Sequence, residues 1–386
     1  MKKTKKITLV TSVIILAATI LYSCAKPIRE FYTFDKYIGP SLTNEPKLDY
    51  NPTLPVVVIV ADNNGTEIFD LLAPFYLLRE TYSANVYILA QEFQPIVLRK
   101  GLFLLPHSTY DQFDLLNVDP DIIVIPNLSA MDKSELNGDI IGWIKKNYQP
   151  ETRILSVCDG ALTAAATGIY DQHPITTHAS DLDFLRKQFA EPEWVRGKSY
   201  TKSLNLYSTA GVSNAVEGSL KVIKDFFGEE AQLELINHIN YPQQIITDEH
   251  KGEAITFGQK LKILKKSMFS SKEQIGVILH EGISEFNLAA TLDVYYRSFP
   301  HEIKSFSSKN MAVTTKHGLR IYPTGNIAQI ENYELYALED SLGFYDQSVK
   351  VLKPKQRYIF DYLLDEIGEK HGEAYVPVVK ALLDYD

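Results

Sequence analysis

Cysteine is nearly absent. Two occur in 386 residues, Cys24 and Cys158, too few and too differently placed for a disulfide framework. Cys/His clusters at zinc-ligand spacing, a phosphate-binding Gly-rich loop and a Gly-x-Ser-x-Gly elbow are also missing. No metal and no cofactor are therefore expected, and a serine-hydrolase site of that type is excluded. Positive charge is short as well. The formal net charge is −9, and leaving out the four lysines of the first six residues takes it to −13. Such a body repels phosphate, so nucleic acid is not an expected partner. Disorder is excluded in turn by a 45% hydrophobic and 11% aromatic content.

A long apolar run is lacking too, and the one that comes nearest is informative. Lys2, Lys3, Lys5 and Lys6 precede the stretch Ile7 to Leu21, which is short for a membrane span. A basic start, a short apolar core and Ser23 before Cys24 read as an export signal. Leu21-Tyr22-Ser23-Cys24 also resembles a bacterial lipobox, which would make Cys24 the lipidated mature N-terminus. An uncleaved anchor is the alternative, and both place the body on the extracytoplasmic face. Residues 1–24 are thus a signal, lipoprotein or membrane anchor. Residues 25–54, with five prolines between Pro27 and Pro55 counted in, read as a stand-off linker.

Cys158 lies where the apolar run Arg153-Ile-Leu-Ser-Val157 stops and a run of small helix-forming residues begins at Gly160. That is the pattern of a nucleophile elbow, with the corner side chain held out of a strand-to-helix turn. The helix N-terminus favours thiolate over thiol, and the same N–H groups can hold a developing oxyanion. The competing reading is a buried cysteine packed at a strand end.

The body contains an internal repeat. Val56-Val-Val-Ile-Val60 followed by a helix over 67–82 returns as Ile275-Gly-Val-Ile-Leu279 followed by a helix from Ser284. At an offset of 217, Gly65 meets Gly282, Phe69 meets Phe286, and Gly101 to Pro106 meets Gly318 to Pro323. Near the ends the offset is 144: Glu217 to Pro242 parallels Asp361 to Asp386. The second copy therefore lacks 73 residues from its middle, and the missing part contains the Cys158 elbow. The expected domains are 55–242, a Lys-rich solvated linker helix within 243–274, and a shortened copy over 275–386.

In the first copy strands over 56–61, 86–90, 121–126 and 153–158 alternate with helices over 67–82, 133–147 and 160–167, with a hairpin near 95–105. Buried strands alternating with helices give an α/β fold, a flavodoxin-like, doubly wound, mostly parallel sheet followed by the shortened second copy. Sites in such sheets form at strand carboxyl ends. Asp62 to Gly65, Asn127 and Cys158 all follow such ends.

Four segments in this order resemble the ThiJ/PfpI superfamily, with its class I glutamine-amidotransferase-like fold. They are Gly65 to Pro74, Ser156-Val-Cys158-Asp159-Gly160-Ala, Thr176-Thr177-His178 and Ser208 to Ser213. The branch they are most similar to holds isonitrile hydratase and the sensor domains of AraC-type regulators. The resemblance implies Cys158 as nucleophile, Asp70 as the acidic partner on the first helix, and the Asp159 N–H as an oxyanion donor. His178 matches a family position and is either a site residue or a packed, hydrogen-bonded one. Asn127-Leu128 replaces the glycines whose N–H completes the family's oxyanion hole. Asp159 follows the cysteine where PfpI-type proteases carry histidine, which argues against peptidase activity. Glu67 reads as a solvated or capping residue, and His238, His250 and His371 as surface or linker residues. In the second copy Asn287 replaces Asp70 and no cysteine exists, so that unit is expected to be non-catalytic, packed on the first as a built-in pseudo-dimer, with a homodimer as the other arrangement.

These readings converge on a membrane-anchored, extracytoplasmic protein acting on a small molecule. It would be a cysteine-dependent hydrolase or hydratase, or else a non-catalytic ligand or oxidation sensor.

Overall fold

The computed structural model describes residues 35–269, 273–338 and 349–386. The signal and Cys24 lie outside the described residues. Among the described residues no helix is long and apolar enough to cross a membrane.

The first unit is built on strands β1 (Val56–Val60), β2 (Asn85–Ala90), β3 (Ser108–Thr109), β4 (Ile122–Ile125), β5 (Arg153–Ser156), β6 (Tyr200–Ser203) and β7 (Leu206–Thr209). Their spatial order is β6-β7-β5-β4-β1-β2-β3, and every pairing is parallel except β6 with β7. All five residues of β1 are buried, as a central strand covered by helices on both faces requires. From β1 the chain runs to β2 on one side and later to β4 on the other. The reversal opens a crevice at the carboxyl ends of β1 and β4, the place where sites form in such sheets.

The second unit carries β8 (Gln274–Ile278), β9 (Glu302–Phe306), β10 (Glu334–Leu338) and β11 (Val349–Leu352). They form an all-parallel four-stranded sheet in the order β9-β8-β10-β11. This is the shortened copy of the α/β unit. Equivalent residues make equivalent bonds: Tyr241 donates to Glu217 and Tyr385 to Asp361, each at 2.7 Å, pairs 144 positions apart.

The two units meet through pairs related by the repeat. Helix α1 (Ile68–Glu80) packs along its counterpart in the second unit (Glu285–Tyr296), and the rings of Phe69 and Phe286 lie 5.3 Å apart. Leu102–Leu104 of the first unit pairs antiparallel with Arg320–Pro323 of the second, with Leu104 directly opposite Ile321. Leu104 and Ile321 are 217 positions apart, so a local two-fold axis passes between them, the self-complementary geometry of an isologous contact. One apolar core, including Phe69, Phe286, Leu292 and Phe360, runs through both halves.

Two segments behave differently from their expected linker character. Residues 42–51 lie along the first unit rather than standing off it. Gln94 exchanges two hydrogen bonds with the Leu42 backbone, Glu45 accepts from the Thr109 N–H at 2.6 Å, and Tyr87 donates to the Asp49 carbonyl. Proline-rich composition sets an extended backbone, and that backbone satisfies its polar groups on the sheet edge. Helix Phe257–Phe269 is mostly exposed, with Ile263 turned inward, but the segment before it is bonded to the first unit through Ser199 N–H to Asp248 and Ile255 N–H to Ser180.

Candidate functional site

The site is assembled at the crevice from the ends of three strands. Beyond β5, Cys158 takes φ +53°, a left-handed backbone that costs a non-glycine residue energy and holds its side chain at the corner of the turn. Helix α2 (Gly160–Ala166) starts two residues later. A Cβ on Gly160 would lie 2.1 Å from the Ile125 carbonyl, so the glycine lets this helix sit down on β4. Gly160 is a packing requirement of the elbow.

From β1 comes the start of α1. Glu67 caps it, accepting the Asp70 N–H at 2.7 Å, and its own N–H donates to the Asn127 carbonyl. Asp70 is fully buried and accepts the Asn127 N–H on Oδ2 at 3.3 Å. Its Oδ1 has no hydrogen-bond partner. From β4, then, Asn127 presents its N–H inward without left-handed geometry, and that N–H engages Asp70. Leu128 pairs with Thr66 and is buried. The Asp159 N–H donates toward the sulfur. Thr177 Oγ1 lies 2.6 Å from Asp159 Oδ1 and 3.0 Å from the Cys158 carbonyl.

Cys158, Asp70, Asp159 and Asn127 are therefore brought together. His178 is set back: its Nδ1 accepts the Ser180 N–H and lies 3.5 Å from Asp181. Its neighbour Ala179 donates its N–H to Asp384 from the C-terminal end of the chain, which Ser213 and His250 also hold.

Electrostatics reverse one expectation. Burial pushes the Cys158 thiol well up, and the charges of Asp70, Asp159 and Glu67 push it further; the Asp159 N–H opposes them. The resting side chain is the thiol, because a seven-residue helix cannot outweigh desolvation plus three carboxylates. Burial likewise raises Asp70 well above the carboxylate range, with Glu67 adding to it and Arg297 and the Asn127 N–H opposing. Asp159 is pushed up to about 7, by burial first and then by Asp181.

Three contributors were not legible as such. Glu67 is a cap, as expected, but is 2% exposed, because the start of α1 is sunk in the crevice. Arg297, from the second unit, reaches across with Nη2 3.6 Å from Glu67 Oε1, pairs with Asp293 and donates Nε–H to the Leu382 carbonyl. Its positive charge acts on Glu67, Cys158 and Asp70. Arg99 is buried beside it and acts on Asp159. The available signal for Arg297 was the repeat, which sets it opposite Glu80 in register. His250 and His371 are also not surface residues: each is drawn into carboxylates, His250 between Asp384 and Asp386 and His371 beside Glu273.

Among the described residues no group of three or more His, Cys, Asp or Glu could hold a metal ion. What the arrangement can do is proton transfer between a buried carboxyl and a thiol.

Residues 55–225 match the DJ-1/PfpI family. The chain is 24% identical over 165 residues to isonitrile hydratase of Pseudomonas putida, covering 42% of this chain and 69% of that protein. Among solved structures, a DJ-1 superfamily protein from Salmonella typhimurium is 18% identical, with a TM-score of 0.43 over 49% of this chain and all of that one. A ThiJ/PfpI family protein from Pseudomonas syringae is 18% identical, with a TM-score of 0.42 over 54% of this chain and 82% of that one.

Proposed function

We propose that this chain, whose residues 55–225 match the DJ-1/PfpI family, is a cysteine-dependent hydratase or hydrolase acting on a small electrophilic carbon. The observation that carries the reading is Asp70: a buried carboxyl raised well above the carboxylate range by burial, with one oxygen unengaged, beside a thiol on a strained elbow. Buried orphan oxygens are rare in folded proteins and call for an occupant. The 24% identity to isonitrile hydratase suggests the first substrate class to try.

On an isonitrile the chemistry balances without a cofactor. Sulfur forms the S–C bond to the terminal carbon while Asp70 delivers its proton there. The thiol proton returns Asp70 to its acid form. Water then adds to the same carbon, the C–S bond breaks, and an N-substituted formamide leaves with the thiol restored. The upward shift of both groups suits this, since a close carboxyl and thiol share their protons and titrate as a unit. Arg297 limits how far the carboxylates can raise the thiol, so the second unit takes part in the site as the other half of an internal pseudo-dimer. The location proposed with it, the extracytoplasmic membrane face through Cys24, rests on the N-terminal sequence.

The test is turnover of cyclohexyl isocyanide by the full-length chain, read as formamide by chromatography. Loss of at least about a hundredfold is expected in both Cys158→Ala and Asp70→Asn, the range seen for acid–base and nucleophile removal. Undiminished turnover in Cys158→Ala would refute the mechanism.

A second reading, a sensor or binding module, is favoured by one observation. Cys158 is 3% exposed, and none of the four described cavities has it in its wall. Ligand-induced thermal stabilisation without product would select it.

A further inference from the structure

The largest described cavity lies away from the cysteine, between residues 46–54, the first unit and the 317–320 turn of the second, and measures about 680 Å³. That is within the ordinary range for a small-molecule site, and the meeting of separate units is where such sites form. It shares no lining residue with the elbow site.

We propose that this cavity binds a small carboxylate with an apolar or aromatic body, its head held by Arg79 and His107. Arg79 lines the cavity, its Nε is buried without a hydrogen-bond partner, and no ion pair engages it among the described residues. The adjacent Glu80 cannot serve it, because that carboxylate is taken by Lys316 and by His317 at 3.1 Å. A guanidinium presents a planar fork that carboxylate fills with two parallel bonds. Beside it, His107 accepts the Ile88 N–H on Nδ1 at 3.0 Å, which leaves the ring proton on Nε2 as a further donor. Burial, with Arg79 next, holds His107 down at about 4, so the ring is a neutral donor at physiological pH.

The balance of charge has the same sense: Lys47 and Arg320 also line the cavity, against Asp49 among the described residues. Phe93 and Leu319 supply apolar wall for the body of the ligand. A bare anion would leave that wall unused, and a neutral molecule would leave the Arg79 fork empty.

The experiment is fluorine NMR titration of the full-length chain with 4-fluorophenylacetate, its neutral amide 4-fluorophenylacetamide, and inorganic phosphate as competitor. Expected are acid binding at roughly millimolar affinity or tighter, and binding about tenfold weaker for the amide and for Arg79→Gln, one decade of affinity each. Cys158→Ser should bind the acid like the parent, which separates this site from the elbow. If Arg79→Gln does not fold, Arg79→Lys keeps the charge and loses the fork, and weaker acid binding is again expected. Equal binding of acid and amide, displacement by equimolar phosphate, parent-like binding in the Arg79 variant, or no binding at all would each overturn the proposal.

Discussion

Replacing Asp159 by asparagine should stabilise the protein at pH 8 relative to pH 5. Asp159 is only partly exposed and is raised from 3.8 to about 7, chiefly by burial. The sign follows from proton counting. Between those two values the folded carboxyl keeps a proton that the unfolded chain has lost, so native stability falls as pH rises through this window. Linkage with those two pKa values makes the cost larger at pH 8 than at pH 5. The difference, at most about 3 kcal/mol, is what Asp159→Asn should recover on going from pH 5 to pH 8, since the amide does not titrate and can still accept from Thr177. Urea unfolding of parent and variant at both pH values measures it directly as a change in midpoint at constant slope. A gain from pH 5 to pH 8 below about 0.5 kcal/mol would mean that Asp159 titrates like an exposed carboxyl, and the account of the site's charge would fail with it.

Two further outcomes follow from the same geometry. Gly160→Ala places a methyl 2.1 Å from the Ile125 carbonyl and should cost about 3 kcal/mol by overpacking, seen as a lowered melting temperature; an unchanged value would show that the elbow helix can shift freely. Arg297→Met leaves Glu67 and Asp293 buried without their cation and should destabilise by about 3 kcal/mol or more. It should also move the pH profile of Cys158 alkylation upward, because the charge favouring thiolate is gone, while Arg297→Lys restores part of that profile. A profile that does not move would remove Arg297 from the site.

What could be read from the chain was whatever local pattern encodes. Fully apolar runs such as Val56–Val60 gave the parallel sheet, and the offset of 217 gave the second unit. The Ser-Val-Cys158-Asp-Gly160 segment gave the elbow. Contacts between the halves were not encoded in that way. A repeat says that Leu104 and Ile321 are equivalent but not that they face each other, and so the sheet crossing both halves went unread. The same gap hid Arg297, a residue of the shortened copy that serves the complete one. Proline spacing over 27–55 suggested a spacer because it carries no apolar period, although Glu45 and Asp49 bind through backbone and carboxylate groups that no hydrophobic pattern reports. The thiol was misjudged for a different reason: the helix end is visible in sequence, whereas the burial and the three carboxylates that outweigh it are properties of the folded crevice.

Arg297 and Glu80 occupy matching places on the two sides of the axis, yet one is a cation and the other an anion. Two identical chains could not manage this, because whichever residue improved one side would be copied onto the other. Joining both halves in a single polypeptide releases them from that constraint. Each position then occurs once per pair of halves, and the halves are free to differ, one carrying the cysteine elbow and the other a charge that acts on it.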